Sequence, residues 1–236
     1  MAKQIKISRR FRFENVLFQT GITQIAGVDE AGRGPLAGPV VAAAVLLPTD
    51  WILAGMPKKL KRVNDSKQLD LEEREDLFKE ITSQKEVRFA CAAVDEKMID
   101  QINILQATHR AMNLALAQLD PFPQHALVDG LRVKTLSCPQ TAIVEGDCLS
   151  YSIAAASIIA KVTRDRMMIQ FHELFPAYGF HEHKGYGTPN HLAAIKQHGP
   201  CAIHRLTFAP VRPVQTEFLR ASERRRPACE CLNQTG

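Results

Sequence analysis

The chain has few of the features that mark secreted, membrane-spanning or disulfide-stabilised proteins. Its six cysteines contain no CxxC pair, which disfavours both a disulfide framework and a structural zinc site. The longest apolar run, residues 40–47, is far too short to cross a bilayer, and the N-terminus lacks an apolar signal region. We therefore expect a cytoplasmic protein with reduced thiols and no membrane association.

Most of the chain also lacks an excess of positive or negative charge. The net charge is +5 over 236 residues, and 45% of the residues are hydrophobic, as in ordinary globular proteins. Residues 1–22 carry five basic side chains against one acid, and a basic segment of this kind can bind polyphosphate. We expect a basic N-terminal extension (1–22), one folded domain (23–212) and a flexible tail (213–236). The even spacing of Ile5, Ile7, Phe11 and Phe13 favours a strand in the extension.

Hydrophobic patterning predicts an α/β fold. Short β-branched runs predict strands at 22–30, 40–47, 87–94, 126–129 and 142–145, the first two joined as an antiparallel pair. Helical periodicity predicts helices from Asp70 to about 85, over 103–119, over 152–171, and between Thr188 and Gly199. This order indicates a mixed five-stranded sheet flanked by helices, with a small helical C-terminal lobe at about 166–212.

Three of the predicted strands lead into carboxylates. In an open α/β sheet the carboxyl ends of parallel strands line the ligand crevice, so these acids should meet there. Clustered carboxylates cannot all ionise unless a cation lies among them, and oxygen ligands favour Mg²⁺ or Mn²⁺. Two such ions can serve an in-line phosphoryl displacement. The predicted catalytic and metal-binding residues are Asp29, Glu30, Asp129 and Asp147.

A second set of residues suits a nucleic-acid ligand. Gly32, Arg33 and Gly34 follow the first acids, and glycines let backbone N–H groups approach a phosphate or a sugar hydroxyl. Cations and polar donors suit phosphates, and an aromatic ring can stack on a sugar or base. The further candidates are Asn64, Ser66, Lys67, Arg164, Lys184 and Tyr186. The histidines of the C-terminal third show no structural zinc spacing, and we expect no zinc.

The sequence Ala-Gly-Val-Asp-Glu-Ala-Gly-Arg-Gly-Pro at 26–35 resembles the signature of the ribonuclease HII family, the bacterial type 2 ribonucleases H. The resemblance continues through residues 64–67, 128–130, 146–147, 154–165, 183–186 and 204–205, and it covers about 23–212. It implies an RNase H-like fold and an endonuclease that cuts the RNA strand of RNA–DNA hybrids. It also implies a nick on the 5′ side of a single ribonucleotide in duplex DNA, leaving a 3′-hydroxyl and a 5′-phosphate, which begins ribonucleotide excision repair.

The resemblance also implies residue roles. The four acids would bind two Mn²⁺ or Mg²⁺ ions, residues 32–34 would read the 2′-hydroxyl at the RNA–DNA junction, and Tyr186 would stack on the next deoxyribose. Cys148 stands where serine commonly follows the fourth acid, and Cys201-Ala202 replaces a Thr/Ser-Pro pair, so metal preference and thiol sensitivity stay open. We expect a monomer. Two alternatives are a non-catalytic binding module of this fold and a resolvase- or transposase-type nuclease.

Overall fold

A mixed five-stranded sheet forms the centre of the chain in a computed structural model that describes residues 8–63, 65–66 and 68–212. The strands are β1 (Ile25–Ala31), β2 (Val40–Leu46), β3 (Arg88–Val94), β4 (His125–Asp129) and β5 (Gln140–Ile143). They lie in the order β3-β2-β1-β4-β5. The pairs β1–β2 and β2–β3 are antiparallel, whereas β1–β4 and β4–β5 are parallel. The predicted sheet and its antiparallel first pair are therefore confirmed.

Helices cover both faces of the sheet. In the described part of the chain they are α1 (Arg12–Gln19), α2 (Thr49–Ala54), α3 (Leu71–Thr82), α4 (Glu96–Ala117), α5 (Gly146–Leu149), α6 (Tyr151–Leu174), α7 (Phe180–His183) and α8 (Pro189–His198). Short 3₁₀ turns occupy Arg9–Phe11, Lys58–Leu60 and Pro176–Tyr178. Helix α4 packs on one face of the sheet, and α3 and α6 lie on the other.

Local capping explains where several helices begin. The Asp70 carboxylate accepts the N–H of Glu73 at 2.8 Å and starts α3, and the Thr188 hydroxyl accepts the N–H of His191 at 3.3 Å and starts α8. Both starts confirm the predicted caps. Helix α4 is longer than predicted, because a first segment precedes a kink at Asn103, where φ is 67°.

Helix α6 lies directly against the central strand. At Gly27 of β1, an added Cβ would lie 2.0 Å from the backbone carbon of Ser152, so only glycine permits this approach. The small residues at 154–156, all alanine and fully buried, continue the close packing. The start of α6 is thereby fixed above the strand that carries Asp29.

The described part of the N-terminal extension packs on the domain. The predicted strand is wrong, because Arg9–Phe11 and Arg12–Gln19 are helical. Phe11 is fully buried, with its ring centroid 4.9 Å from that of Tyr151. The Glu14 carboxylate accepts the Ser150 hydroxyl at 2.6 Å. Ile5, Ile7 and the predicted tail at 213–236 lie outside the described residues.

The C-terminal lobe has an apolar cluster of its own, to which Tyr178, Phe180, Ile195 and Val211 contribute. It is joined to the connection between β1 and β2, since the Leu36 N–H donates to Gly185 O at 2.8 Å and the Arg205 N–H donates to Leu36 O at 2.9 Å. No helix in the described ranges is both long and apolar enough to cross a membrane.

Candidate active site

Three of the predicted acids meet at one end of the sheet. Asp29 lies on β1 and Asp129 ends the neighbouring parallel strand β4. Asp147 comes from α5, directly after β5 on the other side of β4. One carboxylate oxygen from each of these three residues lies within 4.8 Å of the other two. The topology thus places together residues that are 118 positions apart at their extremes.

Backbone N–H groups orient the three carboxylates. The Glu30 N–H donates to Asp29 Oδ1 at 2.7 Å, and the Cys148 N–H donates to Asp147 Oδ1 at 2.9 Å. The Gly146 N–H donates to Asp129 Oδ1 at 2.6 Å, which ties the end of β4 to the turn that carries Asp147. These bonds hold one oxygen of each carboxylate in place.

The electrostatics of this cluster favour a cation. Asp29 and Asp147 are only 4% and 5% exposed. Burial raises the pKa of Asp29 well above its ordinary value, and the nearby charges of Glu30 and Asp129 raise it further. A divalent cation would offset both effects, and three carboxylates are a donor set that suits Mg²⁺ or Mn²⁺. The residues present therefore fit the metal that the sequence predicts.

Glu30 occupies a different position from the other acids. It follows Asp29 on β1 and is outside the group of three, as alternation along a strand requires. Its Oε1 is 3.3 Å from Arg33 Nη1 in an ion pair that is exposed on the arginine side. The structure thus places Glu30 at the rim of the cluster, next to the loop that follows β1.

A cavity of about 530 Å³ is lined by Glu30, the neighbour of Asp29 on β1. Its lining includes six of the residues predicted to bind substrate, namely Gly32, Arg33, Gly34, Ser66, Arg164 and Tyr186. The Tyr186 ring is 46% exposed and lies beside Gly34, where an added Cβ would be 3.7 Å from Cε1. An exposed ring next to backbone N–H groups is available for stacking on a sugar.

Arg164, a predicted phosphate contact, binds backbone carbonyls around the cavity. Its side chain is buried, and it donates to Pro39 O at 3.0 Å, Lys184 O at 3.0 Å and Ala37 O at 3.1 Å. Burial lowers its pKa to about 10. These contacts explain the position of Arg164 as an anchor for backbone around the cavity.

The other residues predicted to bind substrate differ in where they lie relative to the cavity. Ser66 is buried, and its hydroxyl accepts that of Ser157 at 2.9 Å. The Lys184 ammonium donates to His181 O, and Lys184 does not line the cavity. Asn64 and Lys67 lie outside the described residues.

Two arginines near the site were missed by sequence reasoning. Arg205 is fully buried and donates to carbonyls of the 32–38 segment, and Arg10 donates to Asp147 O at 2.7 Å. Backbone carbonyls are present in every residue, so no side-chain pattern signals such partners. Arg205 lies in the 204–205 pair of the family resemblance, which carried no assigned role.

A larger groove of about 780 Å³ lies elsewhere, against α3. It is lined mostly by charged side chains, and Lys59, Arg62 and Lys79 are ion-paired with acids of α3 at 2.9–3.9 Å. Surface pairs of this kind are a common solvated arrangement. The smaller cavity, by contrast, combines an acid at the rim of the cluster, the glycine-rich loop and an exposed tyrosine.

Comparison with known proteins identifies the family. The model of the family described as Ribonuclease HII matches residues 26–211, which include all four acids and the whole cavity lining. The chain belongs to the ribonuclease HII family. Ribonuclease HII of Geobacter metallireducens is 53% identical over 200 residues, covering 85% of this chain and 90% of that protein. Ribonuclease HII of Ruminiclostridium cellulolyticum is 51% identical over 203 residues, covering 86% and 76%.

A solved structure supports the same assignment. Ribonuclease H2 from Pyrococcus horikoshii OT3 superposes with a TM-score of 0.69 at 29% identity, covering 83% of this chain and 99% of that one. The fold is therefore RNase H-like, as the resemblance implied. As a ribonuclease HII, the chain is a ribonuclease H hydrolase, a divalent-metal-dependent endonuclease that acts on RNA–DNA substrates.

Proposed function

We propose that this ribonuclease HII nicks duplex DNA on the 5′ side of a single embedded ribonucleotide and also hydrolyses the RNA strand of RNA–DNA hybrids. The products are a 3′-hydroxyl and a 5′-phosphate, and the reaction begins ribonucleotide excision repair in the cytoplasm. The protein acts as a monomer and has no need of zinc. The convergence of Asp29, Asp129 and Asp147 beside the cavity lined by residues 32–34 carries the proposal.

The acids supply the catalytic centre of the proposal. Asp29, Asp129 and Asp147 would hold two divalent ions together with Glu30, either Mn²⁺ or Mg²⁺. When bound, such ions activate a water molecule and stabilise the leaving oxygen of an in-line displacement. The N–H groups of Glu30, Gly146 and Cys148 fix the carboxylates in place beforehand, so little reorganisation is needed when substrate arrives.

The loop after β1 supplies the recognition of ribose. The N–H groups of Arg33 and Gly34 donate to no acceptor among the residues that the structure describes, and both residues line the cavity. A 2′-hydroxyl oxygen can accept both hydrogen bonds, and a deoxyribose leaves both donors unpaired. Tyr186 would stack on the adjoining deoxyribose.

A nicking assay tests the proposal. A DNA duplex with one ribonucleotide and a 5′ label on that strand is incubated with Mn²⁺, with Mg²⁺ or with EDTA. We expect one metal-dependent nick on the 5′ side of the ribonucleotide, with a 3′-hydroxyl end. Asp129→Asn should bind this duplex without cutting it.

Two results would contradict the proposal. The absence of any metal-dependent nick would favour the alternative that the protein is a non-catalytic binding module. Faster cleavage of an all-DNA four-way junction than of the ribonucleotide duplex would support a resolvase-type enzyme.

A further inference from the structure

Two buried guanidinium groups hold the backbone around the β1–β2 connection. Arg164 and Arg205 are 1% and 0% exposed. Arg205 makes five hydrogen bonds of 2.6–3.0 Å, to the carbonyls of Gly32, Arg33, Pro35 and Gly38. Arg164 makes three more, to residues 37, 39 and 184. Neither guanidinium forms an ion pair within the described part of the chain.

Burying these two guanidinium groups without an ion pair lowers the stability of the fold. Burial lowers the pKa of Arg205 to about 9, and the nearby positive charge of Arg164 contributes to the same shift. Buried charges carry a desolvation penalty, which carbonyl oxygens offset only when the geometry is good. Five donors in a rigid planar fork can satisfy that geometry, whereas a lysine ammonium has three donors at one point.

The contacts of Arg205 fix which way the loop's donors point. In a trans peptide the C=O of one residue and the N–H of the next point in opposite directions. Arg205 binds the carbonyls of Gly32 and Arg33, so the N–H groups of Arg33 and Gly34 are directed away from Arg205. Within the described ranges these two N–H groups have no acceptor, and both residues line the cavity.

Arg164 also packs against this loop. At Gly32, where φ is +96°, an added Cβ would lie 2.0 Å from Arg164 Nε. Two guanidinium groups therefore contact this loop, and the two N–H groups belong to residues that line the cavity. Arg164 comes from α6, and Arg205 comes from the C-terminal lobe.

We propose that Arg205 is a positioning residue that sets the selectivity for a 2′-hydroxyl by aiming the Arg33 and Gly34 N–H groups at it. The inference rests on the proposed function, since it requires that these two donors read the ribose. Arg205 itself touches no substrate. The C-terminal lobe thereby contributes to substrate choice from a residue 173 positions away from Gly32.

The test measures binding selectivity separately from cleavage. In an Asp129→Asn background with EDTA, fluorescence anisotropy gives the Kd for a duplex with one ribonucleotide and for the same duplex with deoxyribose there. We expect the parent to prefer the ribonucleotide duplex. Arg205→Lys should lower that preference about tenfold, the scale of one lost hydrogen bond, and leave the affinity for the all-DNA duplex unchanged.

Two controls separate positioning from general damage. Arg166→Lys makes the same chemical change at an exposed arginine of α6, whose Nη2 pairs with Glu75 at 2.6 Å. Val211→Ala opens a cavity at a fully buried residue of the lobe and leaves the Arg205 side chain unchanged. Both should retain the preference of the parent, even though Val211→Ala lowers the melting temperature.

The possible outcomes distinguish this inference from the proposed function. A parent with no preference for the ribonucleotide duplex would refute the reading of the 2′-hydroxyl and, with it, the inference. A folded Arg205→Lys protein that keeps the preference within twofold would overturn the role of Arg205 alone.

A second measurement needs no substitution at Arg205. The amide resonances of Arg33 and Gly34 in Asp129→Asn should shift on addition of the ribonucleotide duplex and shift less with the all-DNA duplex. Equal shifts with the two duplexes would overturn the inference even if Arg205→Lys does not fold.

Discussion

Gly32 and Gly34 occupy the same loop under different constraints. Gly32 has a φ of +96° and no room for a Cβ, whereas the nearest atom to a Cβ at Gly34 is Tyr186 Cε1 at 3.7 Å. We predict that Gly32→Ala lowers the free energy of unfolding by about 1–3 kcal/mol, because the backbone strain adds to the clash with Arg164. Urea denaturation measures the loss, and the nicking rate should fall with it.

Gly34→Ala is the matched control for this prediction. It keeps the N–H of residue 34 and should change stability by no more than about 0.5 kcal/mol. Similar losses for the two substitutions would contradict the account of the loop.

Glu14 gives a prediction for pH dependence. Burial raises the pKa of Glu14 above its ordinary value of 4.5. The stability that Glu14 contributes is therefore greatest at low pH and is lost as the pH rises through the folded-state pKa. Glu14→Gln removes this titration and can still accept the Ser150 hydroxyl. The free energy of unfolding of the variant should therefore increase relative to that of the wild type as the pH rises.

Denaturant unfolding at a series of pH values from about 4 to about 8 measures this difference. Glu86→Gln, on an exposed side chain, should show no such trend. A difference between Glu14→Gln and wild type that is the same at every pH would contradict the prediction.

At the scale of the element, the N-terminal helix is the part of the fold that the family model does not cover, since the match begins at residue 26. Phe11 is fully buried beside α6, whereas Val16 of α1 is 62% exposed. We predict that Phe11→Ala lowers the free energy of unfolding by about 3–5 kcal/mol, as for other buried phenylalanines. Val16→Ala should have little effect, and equal effects of the two would show that this segment is not part of the domain.

The sequence predicts best those strands and helices whose formation depends on neighbouring residues in the chain. Strands β1, β2 and β4 are short apolar runs bounded by turn residues or acids, so their existence and near positions followed from composition alone. Helix α1 was missed, because the alternating Phe11 and Phe13 satisfy a strand pattern although only Phe11 is fully buried. The first half of α4 was missed, because the turn at Asn103 divides the periodic pattern into two.

At the scale of the whole molecule, the convergence of the acids followed from one rule about parallel strands. That β1, β4 and β5 lie side by side is a property of the tertiary structure. The sequence suggested it only because three apolar runs each lead into carboxylate residues. The contacts of Arg10, Arg164 and Arg205 could not be predicted, since their partners are backbone carbonyls of distant segments. Arg164 and Arg205 lie in segments of the family resemblance, but the sequence does not show which carbonyls they bind.

Metal binding by the converged acids is the claim on which the enzymatic account depends. Anomalous diffraction from crystals of the full chain grown or soaked with Mn²⁺ tests it most directly, since manganese is located independently of any activity. We predict a strong anomalous peak in contact with the carboxylates of Asp29, Asp129 and Asp147, and its weakening or loss in Asp129→Asn crystals. Manganese bound only elsewhere, or none at these three residues at millimolar Mn²⁺, would contradict the account.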